Sequence, residues 1–549
     1  MPVFRSKFFL RLLRSSPLRH RRFRLFYLGS VGTALGFTMQ ATIAAWLMAT
    51  LSPSAFMVAL VQTASASPAL LFGLAAGALA DIIDRRRVLL VAQILLLSAT
   101  AVLGAAAVAG WVGPATLLAL TFLIGIGFTF YLPAQQAMIN DLVPHAELAP
   151  AVALGAVAFN VSRALGPALA GTMAAWMGSG YALMGSALLF IGMILASRGL
   201  RRSVPAILGT PETLLSGIRS GMRYVRHSPA LRAMLLRNVS FSICASALWA
   251  LLPVVARDQL GMGAGGFGLL FACYGAGAVA AAFLIPPQLR RVSLNTVVNA
   301  GFLLWAAATL LVGWTSVLAL AMMGTLGAGA AWVSVHSSLS AGTQTSAPAW
   351  VRARALATNL VAFQASMAFG SALWGGLAAM TSTRITLALS GGLLLLLLVL
   401  NRRIRVTLGT ESDLKPGMQL PELVVVGDPL PDDGPVLIQM EYRIDPENRA
   451  AFLQAIYEAA PARRRNGASA WRIYRDLENE GRFVERFVIT SWAEYVRLRA
   501  RLTFADQELQ NRVMQLQRAG VPLRISRLIG VGLEDPVPLS NQADAGQIA

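Results

Sequence analysis

Two ionisable side chains lie inside long apolar stretches of this sequence, where they could do chemistry. Arg163 stands close to Asn160 and Ser162 in one stretch, and His336 lies in another. A planar guanidinium binds carboxylate, phosphate or catecholate groups through two hydrogen bonds, and an imidazole exchanges protons near neutral pH. Arg163 therefore predicts recognition of an anion, with hydrogen bonding to backbone carbonyls as the alternative. His336 is a candidate proton site, with simple packing as the alternative.

The apolar stretches offer no carboxylate at membrane depth, so the usual proton carrier is missing. No glycine loop followed by Lys-Ser or Lys-Thr is present, which argues against direct use of ATP. The two cysteines lie in separate stretches and have no metal-ligand spacing. We therefore predict no cofactor and no metal. Polar side chains are the candidates for lining a substrate cavity: Gln40, Asn160, Arg163 and Gln364.

The elements that must position these side chains are membrane-spanning helices. The 549-residue chain is 56% hydrophobic and only 13% charged, whereas soluble chains carry roughly 25% charged residues. A transmembrane helix needs about 20 predominantly apolar residues. Twelve segments meet this requirement and predict an all-α polytopic membrane protein. The predicted spans are 25–50, 56–80, 88–111, 115–139, 149–172, 178–199, 234–256, 264–287, 294–314, 316–341, 353–379 and 383–401.

The distribution of basic residues predicts the orientation. The net charge is +20, but the basic residues cluster in alternate loops and form no nucleic-acid-binding face. Loops after odd-numbered spans contain a single basic residue, Arg257, and the other loops hold nearly all the rest. Because basic loops stay in the cytoplasm, both termini should be cytoplasmic. We predict a multi-pass protein of a bacterial inner membrane with no nucleic-acid partner.

An internal repeat divides the membrane region into two six-helix halves. When the chain is shifted by 204 residues, positions 144–171 fall on 348–375, and 13 of the 28 positions are identical. Such parallel repeats occur in transporters whose substrate path lies between the halves. The predicted organisation is a basic cytoplasmic N-terminus (1–24), an N-terminal half (25–199), a cytoplasmic loop (200–233), a C-terminal half (234–405), a linker (406–434), a soluble cytoplasmic domain (435–531) and a disordered tail (532–549).

The loop between the second and third spans resembles a signature of the major facilitator superfamily. That signature is G-x-L-A-D-x-x-G-R-[RK], and Asp84 stands in place of its second glycine. An acidic residue there is similar to the drug and siderophore exporters that include the enterobactin exporter. The resemblance implies that the loop latches the cytoplasmic side of the transporter; the alternative is a basic loop with no further role. The implied latch residues are Gly77, Asp81, Asp84, Arg85 and Arg86.

A second resemblance lies in the fifth span. Gly166, Pro167 and Gly171 match the exporter motif G-x-x-x-G-P-x-x-G-G of the same superfamily. The motif implies export rather than import. The alternative is a bent helix that packs closely on its neighbours, because proline removes a backbone donor and small residues permit close approach.

Residues 435–531 predict the element order β-α-β-β-α-β, which is the ferredoxin-like arrangement. The second helix is predicted over 492–518. The segment is similar to the small dimeric domains related to antibiotic-biosynthesis monooxygenases, and this resemblance implies a homodimer. It contains no His and no Cys, so we predict that the chain is not an enzyme.

These features predict a secondary exporter of a small amphiphilic molecule, such as a siderophore, a drug or another natural product. Proton antiport and alternating access between the halves are what the resemblance implies. One alternative is a lipid or lysolipid flippase on the same fold. A less favoured one is an oxygenase tethered to the membrane.

Overall fold

The computed structural model describes residues 17–200, 214–288, 292–406 and 429–531. The predictions for most of the N-terminal segment, most of the linker and the tail lie outside these residues. Within them, twelve helices are long and apolar enough to cross a membrane. They are α1 Arg21–Leu51, α2 Ala55–Ile82, α3 Arg85–Val108, α4 Pro114–Leu142, α5 Leu148–Met177, α6 Ser179–Arg198, α8 Pro229–Val254, α9 Ala264–Gln288, α10 Leu294–Trp314, α11 Leu318–Ser346, α12 Ala349–Met380 and α13 Thr383–Leu400.

All twelve predicted spans are confirmed as helices, and most observed helices are longer than their apolar parts. Helix α8 begins at Pro229 rather than at residue 234, and α12 begins at Ala349 rather than at residue 353. The added turns contain arginines such as Arg232 and Arg352. Hydropathy identifies only the segment that can lie in the hydrocarbon core of the membrane. The helix itself can continue into the polar surface of the membrane, because its backbone hydrogen bonds do not depend on apolar side chains.

The connection between the halves contains a helix that the sequence analysis did not predict. Helix α7 spans Leu214–His227. In its described part, the buried residues Ser220, Gly221, Tyr224 and Val225 recur at helical spacing, between the exposed Met222 and Arg226. The buried stripe is short, and several arginines lie between its residues. The sequence of this segment therefore predicted a basic loop rather than a helix.

Two compact units make up the chain. The membrane unit comprises Met1–Leu214, Ala233–Gln344 and Leu356–Leu408, and the C-terminal unit comprises Leu215–Arg232, Thr345–Ala355 and Gly409–Ala549. Helix α7 and the first turns of α12 therefore belong to the same unit as the predicted soluble domain.

Glycines bring the halves of the membrane unit together. A Cβ on Gly171 of α5 would collide with Gly268 of α9, and a Cβ on Gly375 of α12 would collide with Ala59 of α2. Gly171 and Gly375 are the positions that the 204-residue repeat relates. The halves therefore meet through two equivalent helix pairs, each packed backbone to backbone. Both contacts lie toward the end of the bundle where α1 finishes, hereafter the Leu51 end.

The C-terminal unit contains a four-stranded antiparallel sheet in the order β2-β3-β1-β4. Alternate residues of β1 are buried against the helices, which supply Phe452 and Ile456 to the same core. The strands are β1 Val436–Arg443, β2 Ser469–Arg475, β3 Arg482–Ile489 and β4 Arg524–Ile529, and the helices are α14 Arg449–Arg465, α15 Trp492–Arg501 and α16 Phe504–Gln515.

The prediction of one helix over 492–518 is wrong. The chain leaves the helix at Leu502 and starts a new one after Thr503. The Thr503 side chain accepts a hydrogen bond from the Asp506 amide, and the Asp506 carboxylate accepts one from the Thr503 amide. This capping box satisfies amides that begin a helix, so it favours a new start over continuation.

A charged and aromatic joint holds α7 within the C-terminal unit. The buried carboxylate of Glu494 accepts hydrogen bonds from Arg223 of α7 at 2.8 Å and from Arg501 at 3.0 Å. The Arg501 guanidinium lies 4.2 Å from the ring centroid of Trp350, which in turn meets Tyr224 edge to face. These contacts explain why residues distant in sequence form one unit.

Candidate functional site

Helix α5 is held between two neighbours by the small residues of the predicted exporter motif. On one side, Thr38 of α1 donates a hydrogen bond to the Ser162 carbonyl at 3.0 Å, and Gly166 leaves room for the Thr38 side chain. On the other side, Gly268 of α9 approaches the Pro167 carbonyl and Gly171. Such close packing fixes which way Arg163 faces on the same helix.

Arg163 lies in a cage of aromatic rings. Its guanidinium carbon is 5.0 Å from the ring centroid of Trp332, 5.7 Å from that of Trp249 and 6.0 Å from that of Phe159. Tyr274 is also within electrostatic reach of the guanidinium. A cation over an aromatic face is attracted by the ring quadrupole, so these contacts stabilise the charge without neutralising it.

The cage joins the two halves. Arg163 and Phe159 belong to α5 of the N-terminal half, whereas Trp249, Tyr274 and Trp332 belong to α8, α9 and α11 of the C-terminal half. None of these four helices contains an Asp or Glu. The arrangement is therefore a half-buried cation between two bodies, with aromatic surroundings and no carboxylate supplied by the helices that form it.

His336 packs on the same aromatic cluster. Its ring centroid is 4.3 Å from that of Trp332, 4.8 Å from that of Phe363 and 5.4 Å from that of Phe241. Within the described residues its buried Nε2 atom has no hydrogen-bond partner. The structure thus brings the two ionisable residues together, and the aromatic contacts of His336 favour the packing alternative.

The other predicted cavity residues occupy different environments. Gln40 is buried in α1, and its amide nitrogen finds no partner among the residues that the structure describes. Gln364 is half-buried in α12, directly after Phe363 of the aromatic cluster. Asn160 is exposed on α5. In sequence, Asn160 thus directly follows Phe159 of the Arg163 cage, and Gln364 directly follows Phe363, which packs on His336.

Sequence analysis missed a second buried arginine. Arg237 of α8 is 1% exposed and donates to the carbonyls of Asn401, at 3.1 Å, and Ile404, at 3.4 Å. These carbonyls follow the C-terminal end of α13, where a positive charge is favourable. The signal was present, because Arg237 lies inside the predicted span 234–256. Its carbonyl contacts indicate a structural role.

Three of the predicted latch residues, Asp84, Arg85 and Arg86, form contacts within the N-terminal half. Asp84 is the N-cap of α3 and accepts a hydrogen bond from the Arg86 amide at 3.0 Å. Arg85 pairs with Asp141 of α4 at 2.9 Å. A Cβ on Gly77 would meet open space, and the Asp81 side chain lies outside the described part. The carboxylate at position 84, where the signature has glycine, thus caps the next helix, and the latch role remains a prediction.

Comparison with known proteins defines the class. The sequence model of the transmembrane secretion effector family matches residues 14–534. The chain therefore belongs to this family of major facilitator transporters. The match extends through the C-terminal sheet, and it confirms the transporter fold expected from the two signatures.

Curated relatives are similar over part of the chain. An MFS-type transporter, y4rN, of Sinorhizobium fredii is 26% identical over 49% of this chain and 64% of its own length. The multidrug efflux pump Tap of Mycolicibacterium fortuitum is 29% identical over 38% of this chain and 53% of its own. The chain thus spans about half to two thirds of the length of these relatives.

Solved structures share the fold. The nucleoside transporter NupG superposes with a TM-score of 0.58 at 13% identity, covering 70% of this chain and 99% of NupG. An inward-facing, unoccupied bacterial homolog of the lysosomal transporter Spinster gives a TM-score of 0.56 at 15% identity, covering 71% of this chain and 96% of that one. At this identity, the likeness establishes the architecture alone.

Proposed function

We propose that this protein exports a small amphiphilic molecule carrying an acidic group, such as a siderophore or an acidic natural product. The observation that carries the proposal is the Arg163 guanidinium, held by Trp249 and Trp332 between the two halves without a carboxylate. Family membership and efflux-pump relatives support transport by efflux.

The chemistry of the cage favours an anion as cargo. A cation removed from water and left unpaired is costly, and an acidic cargo supplies the missing charge. Arg163 offers two parallel donors to a carboxylate or catecholate. Trp249, Trp332 and Phe159 offer flat apolar surface to the rest of the molecule. A permanently cationic dye would meet repulsion from Arg163 and find no carboxylate on the surrounding helices.

Contacts at the Leu51 end support alternating access. There Trp46 stacks on Phe267 with centroids 5.6 Å apart, and Thr63 donates to the Ala368 carbonyl at 2.9 Å. Both contacts join the N-terminal half to the C-terminal half. With both termini in the cytoplasm, as the charge distribution favours, this closed end is the outer one. The structure would then represent a state of the exporter that is closed on the outer side.

Energy coupling by proton antiport and a bacterial inner-membrane location belong to the same proposal. His336 is the candidate proton site because it is the one histidine deep in the predicted spans and it shares the aromatic cluster with Arg163. Asp81, with Arg85 and Arg86, would close the cytoplasmic side during the cycle.

The C-terminal domain is proposed to be a cytoplasmic ferredoxin-like domain, related to the antibiotic-biosynthesis monooxygenases but regulatory rather than catalytic. The strand order β2-β3-β1-β4 supports the ferredoxin-like assignment. Homodimerisation through the sheet is part of the proposal. The buried Glu485 carboxylate supports a structural core, since it accepts hydrogen bonds from Tyr442, Arg463 and Trp471.

Ligand binding to Arg163 variants tests the proposal. Purified full-length protein is titrated with 2,3-dihydroxybenzoate while binding is followed by calorimetry, with tetraphenylphosphonium as the cationic comparison. Arg163→Ala should weaken binding of the anion by roughly ten-fold or more, because one charge-assisted pair is lost. Arg163→Lys should recover part of the lost affinity, because an ammonium group keeps the positive charge but cannot donate two parallel hydrogen bonds.

Arg198→Ala is the matched control, since it removes an exposed arginine at the end of α6 in the same half. It should leave binding unchanged. Each variant is first checked for a monodisperse size-exclusion profile. Export of tetraphenylphosphonium by the natural protein, with no binding of the anion, would contradict the proposal.

A further inference from the structure

The single basic residue in the predicted outer loops has a defined place at the Leu51 end. Arg257 lies in the π-helical turn Val255–Gln259 that follows α8. Pro253, near the end of α8, has no amide to donate to the Trp249 carbonyl. A wide turn after such a break redirects the side chains that follow. The turn places Arg257 so that it reaches a helix of the other half.

Arg257 crosses from the C-terminal half to the end of α1. One terminal nitrogen, Nη1, donates to the Ala49 carbonyl and, at 3.0 Å, to the Ser52 carbonyl. The opposite edge of the guanidinium is held by the neighbouring Asp258 carboxylate, with Nη2 to Oδ2 at 2.9 Å. Asp258 therefore orients the fork while Nη1 makes the contact between the halves.

The sequence of α1 leaves this carbonyl in need of a donor. In an α-helix the Ala49 carbonyl would accept from the amide of residue 53, and residue 53 is proline. Helix α1 ends at Leu51, so the last carbonyls have no partner of their own. A cation at a helix C-terminus also complements the negative end of the helix dipole. Pro53 thus creates the acceptor that Arg257 fills.

The neighbouring contacts at this end have a different character. Trp46 stacks on Phe267, and glycine backbones meet at Gly171 and Gly268. These contacts close the interface between the two halves by apolar packing, whereas Arg257 contributes hydrogen bonds from a charged donor. When the halves separate, water can satisfy the Ala49 and Ser52 carbonyls, so the contact can be broken and remade in each cycle.

We propose that Arg257 locks the Leu51 end of the transporter closed by capping α1, with Asp258 positioning its guanidinium. The lock biases the protein toward the conformation seen here. It explains why an arginine lies in outer loops that hold no other basic residue. Its action is independent of the cargo and of Arg163.

Thiol accessibility in lipid nanodiscs tests the lock, since both faces are then open to reagent and no cargo is required. The natural cysteines are removed by Cys244→Ala and Cys273→Ala. Ala55→Cys then reports on this interface, because Ala55 is 8% exposed and its carbonyl lies near Gly375. The rate of labelling by a hydrophilic maleimide measures how often the Leu51 end opens.

Arg257→Gln should raise the labelling rate roughly ten-fold or more, as expected for loss of hydrogen bonds from a charged donor. Arg257→Lys should raise it less. Arg384→Gln is the matched control, since Arg384 is an exposed arginine at the same end of the same half. It should label like the parent. An unchanged rate for Arg257→Gln in a monodisperse preparation overturns the proposal.

A second variant tests the same contact from the other side, and Arg257→Lys replaces Arg257→Gln as the background if the latter fails to fold. Pro53→Ala removes the residue that blocks extension of α1 beyond Ser52, so that the amide of residue 53 can compete with Arg257 for the Ala49 carbonyl. It should raise labelling by a smaller factor than Arg257→Gln. The two changes act on one contact, so Pro53→Ala should add nothing in the Arg257→Gln background. An equal increase in both backgrounds overturns the lock.

Discussion

Arg163 in the membrane unit and Arg463 in the C-terminal unit are both arginines set against aromatic rings, but their charges are balanced differently. Arg463 lies 5.9 Å from the Phe487 ring centroid and pairs with the fully buried Glu485 at 3.2 Å. Arg163 has rings around it and no carboxylate on the four helices of its cage.

The charge of Arg463 is compensated inside the protein, whereas the charge of Arg163 has no carboxylate partner on the helices around it. The Glu485 carboxylate accepts hydrogen bonds from Trp471 at 2.7 Å and from Tyr442 at 2.9 Å in addition to Arg463. Such a saturated network contributes to the stability of the core. The Arg163 charge is stabilised but not compensated, so an anionic ligand can still lower its free energy. The same residue type therefore serves folding in one unit and, in the proposed function, binding in the other.

Removing the acid from the balanced pair should have the largest effect. Glu485→Ala leaves Arg463 buried without its counter-charge, which costs about 3–5 kcal/mol. Hydrogen exchange of the β1 and β3 amides in the full-length protein measures the loss. Glu480→Ala, at an exposed position between β2 and β3, is the control and should change stability by less than about 0.5 kcal/mol. Equal protection in both variants would contradict a structural role for the pair.

Adding an acid to the unbalanced site should make Arg163 resemble Arg463. Phe159 lies one helical turn before Arg163 and contacts its guanidinium, so Phe159→Glu would provide an internal partner. We expect binding of 2,3-dihydroxybenzoate to weaken roughly ten-fold, because the cargo must now displace a carboxylate. Phe159→Gln is the control for the lost ring. Similar affinity in the Glu and Gln variants would show that the charge of Arg163 does not select the cargo.

A third test uses pH on the balanced charges of the C-terminal unit. Burial would raise the pKa of Glu494, but Arg501, Arg223 and Arg497 outweigh it and hold the pKa below its ordinary value. A lowered pKa contributes stability that is present above the unfolded value of about 4.3 and is lost as pH falls through the folded pKa. Protection of α7 should therefore decline in acid.

Glu494→Gln should weaken the joint by about 2 kcal/mol at neutral pH and remove most of that acid dependence. Hydrogen exchange of α7 amides at neutral and acidic pH measures both effects. The exposed Glu480→Gln serves as the control. A natural protein whose α7 protection is independent of pH would rule out Glu494 as the source of stability.

Two acidic residues, Asp81 at the end of α2 and Asp84 at the start of α3, should behave differently. Asp84→Ala removes the cap of α3 and should cost about 1 kcal/mol, whereas Asp84→Asn should retain most of it. Asp81→Asn should leave protein amount unchanged and slow turnover if the latch implied by the family signature operates. Thermal unfolding and vesicle efflux distinguish the two. Normal turnover of Asp81→Asn would remove the latch role.

The smallest effect is expected for His336. Its contacts with Trp332 and Phe363 are those of a packed ring, so His336→Gln should change binding of the anionic probe by less than about two-fold, a loss below 0.5 kcal/mol. If transport depends on protons through a residue in the spans, efflux under an imposed pH gradient should nevertheless fall. Unchanged efflux would exclude His336 from coupling.

Helix positions could be predicted because they depend on local composition. Apolar runs such as Phe56–Ala80 predict a membrane-spanning helix from hydropathy alone. Boundaries and α7 could not, because they depend on contacts with other elements. The break at Leu502 does have a local signal, the capping-box spacing of Thr503 and Asp506. Asp84 illustrates the point, since the sequence marks it as a departure from the family signature and only the hydrogen bond to Arg86 explains it.

By itself, the sequence determined the twelve apolar helices, the two related halves and the presence of an unusual arginine in the fifth span. Each of these follows from the composition or spacing of neighbouring residues. Tertiary structure alone decided what surrounds that arginine, because Phe159, Trp249, Tyr274 and Trp332 come from four different helices. It also decided that Arg257 meets the carbonyl freed by Pro53. Which helix faces meet depends on the packing of small residues across the whole bundle, and no local pattern encodes the partner.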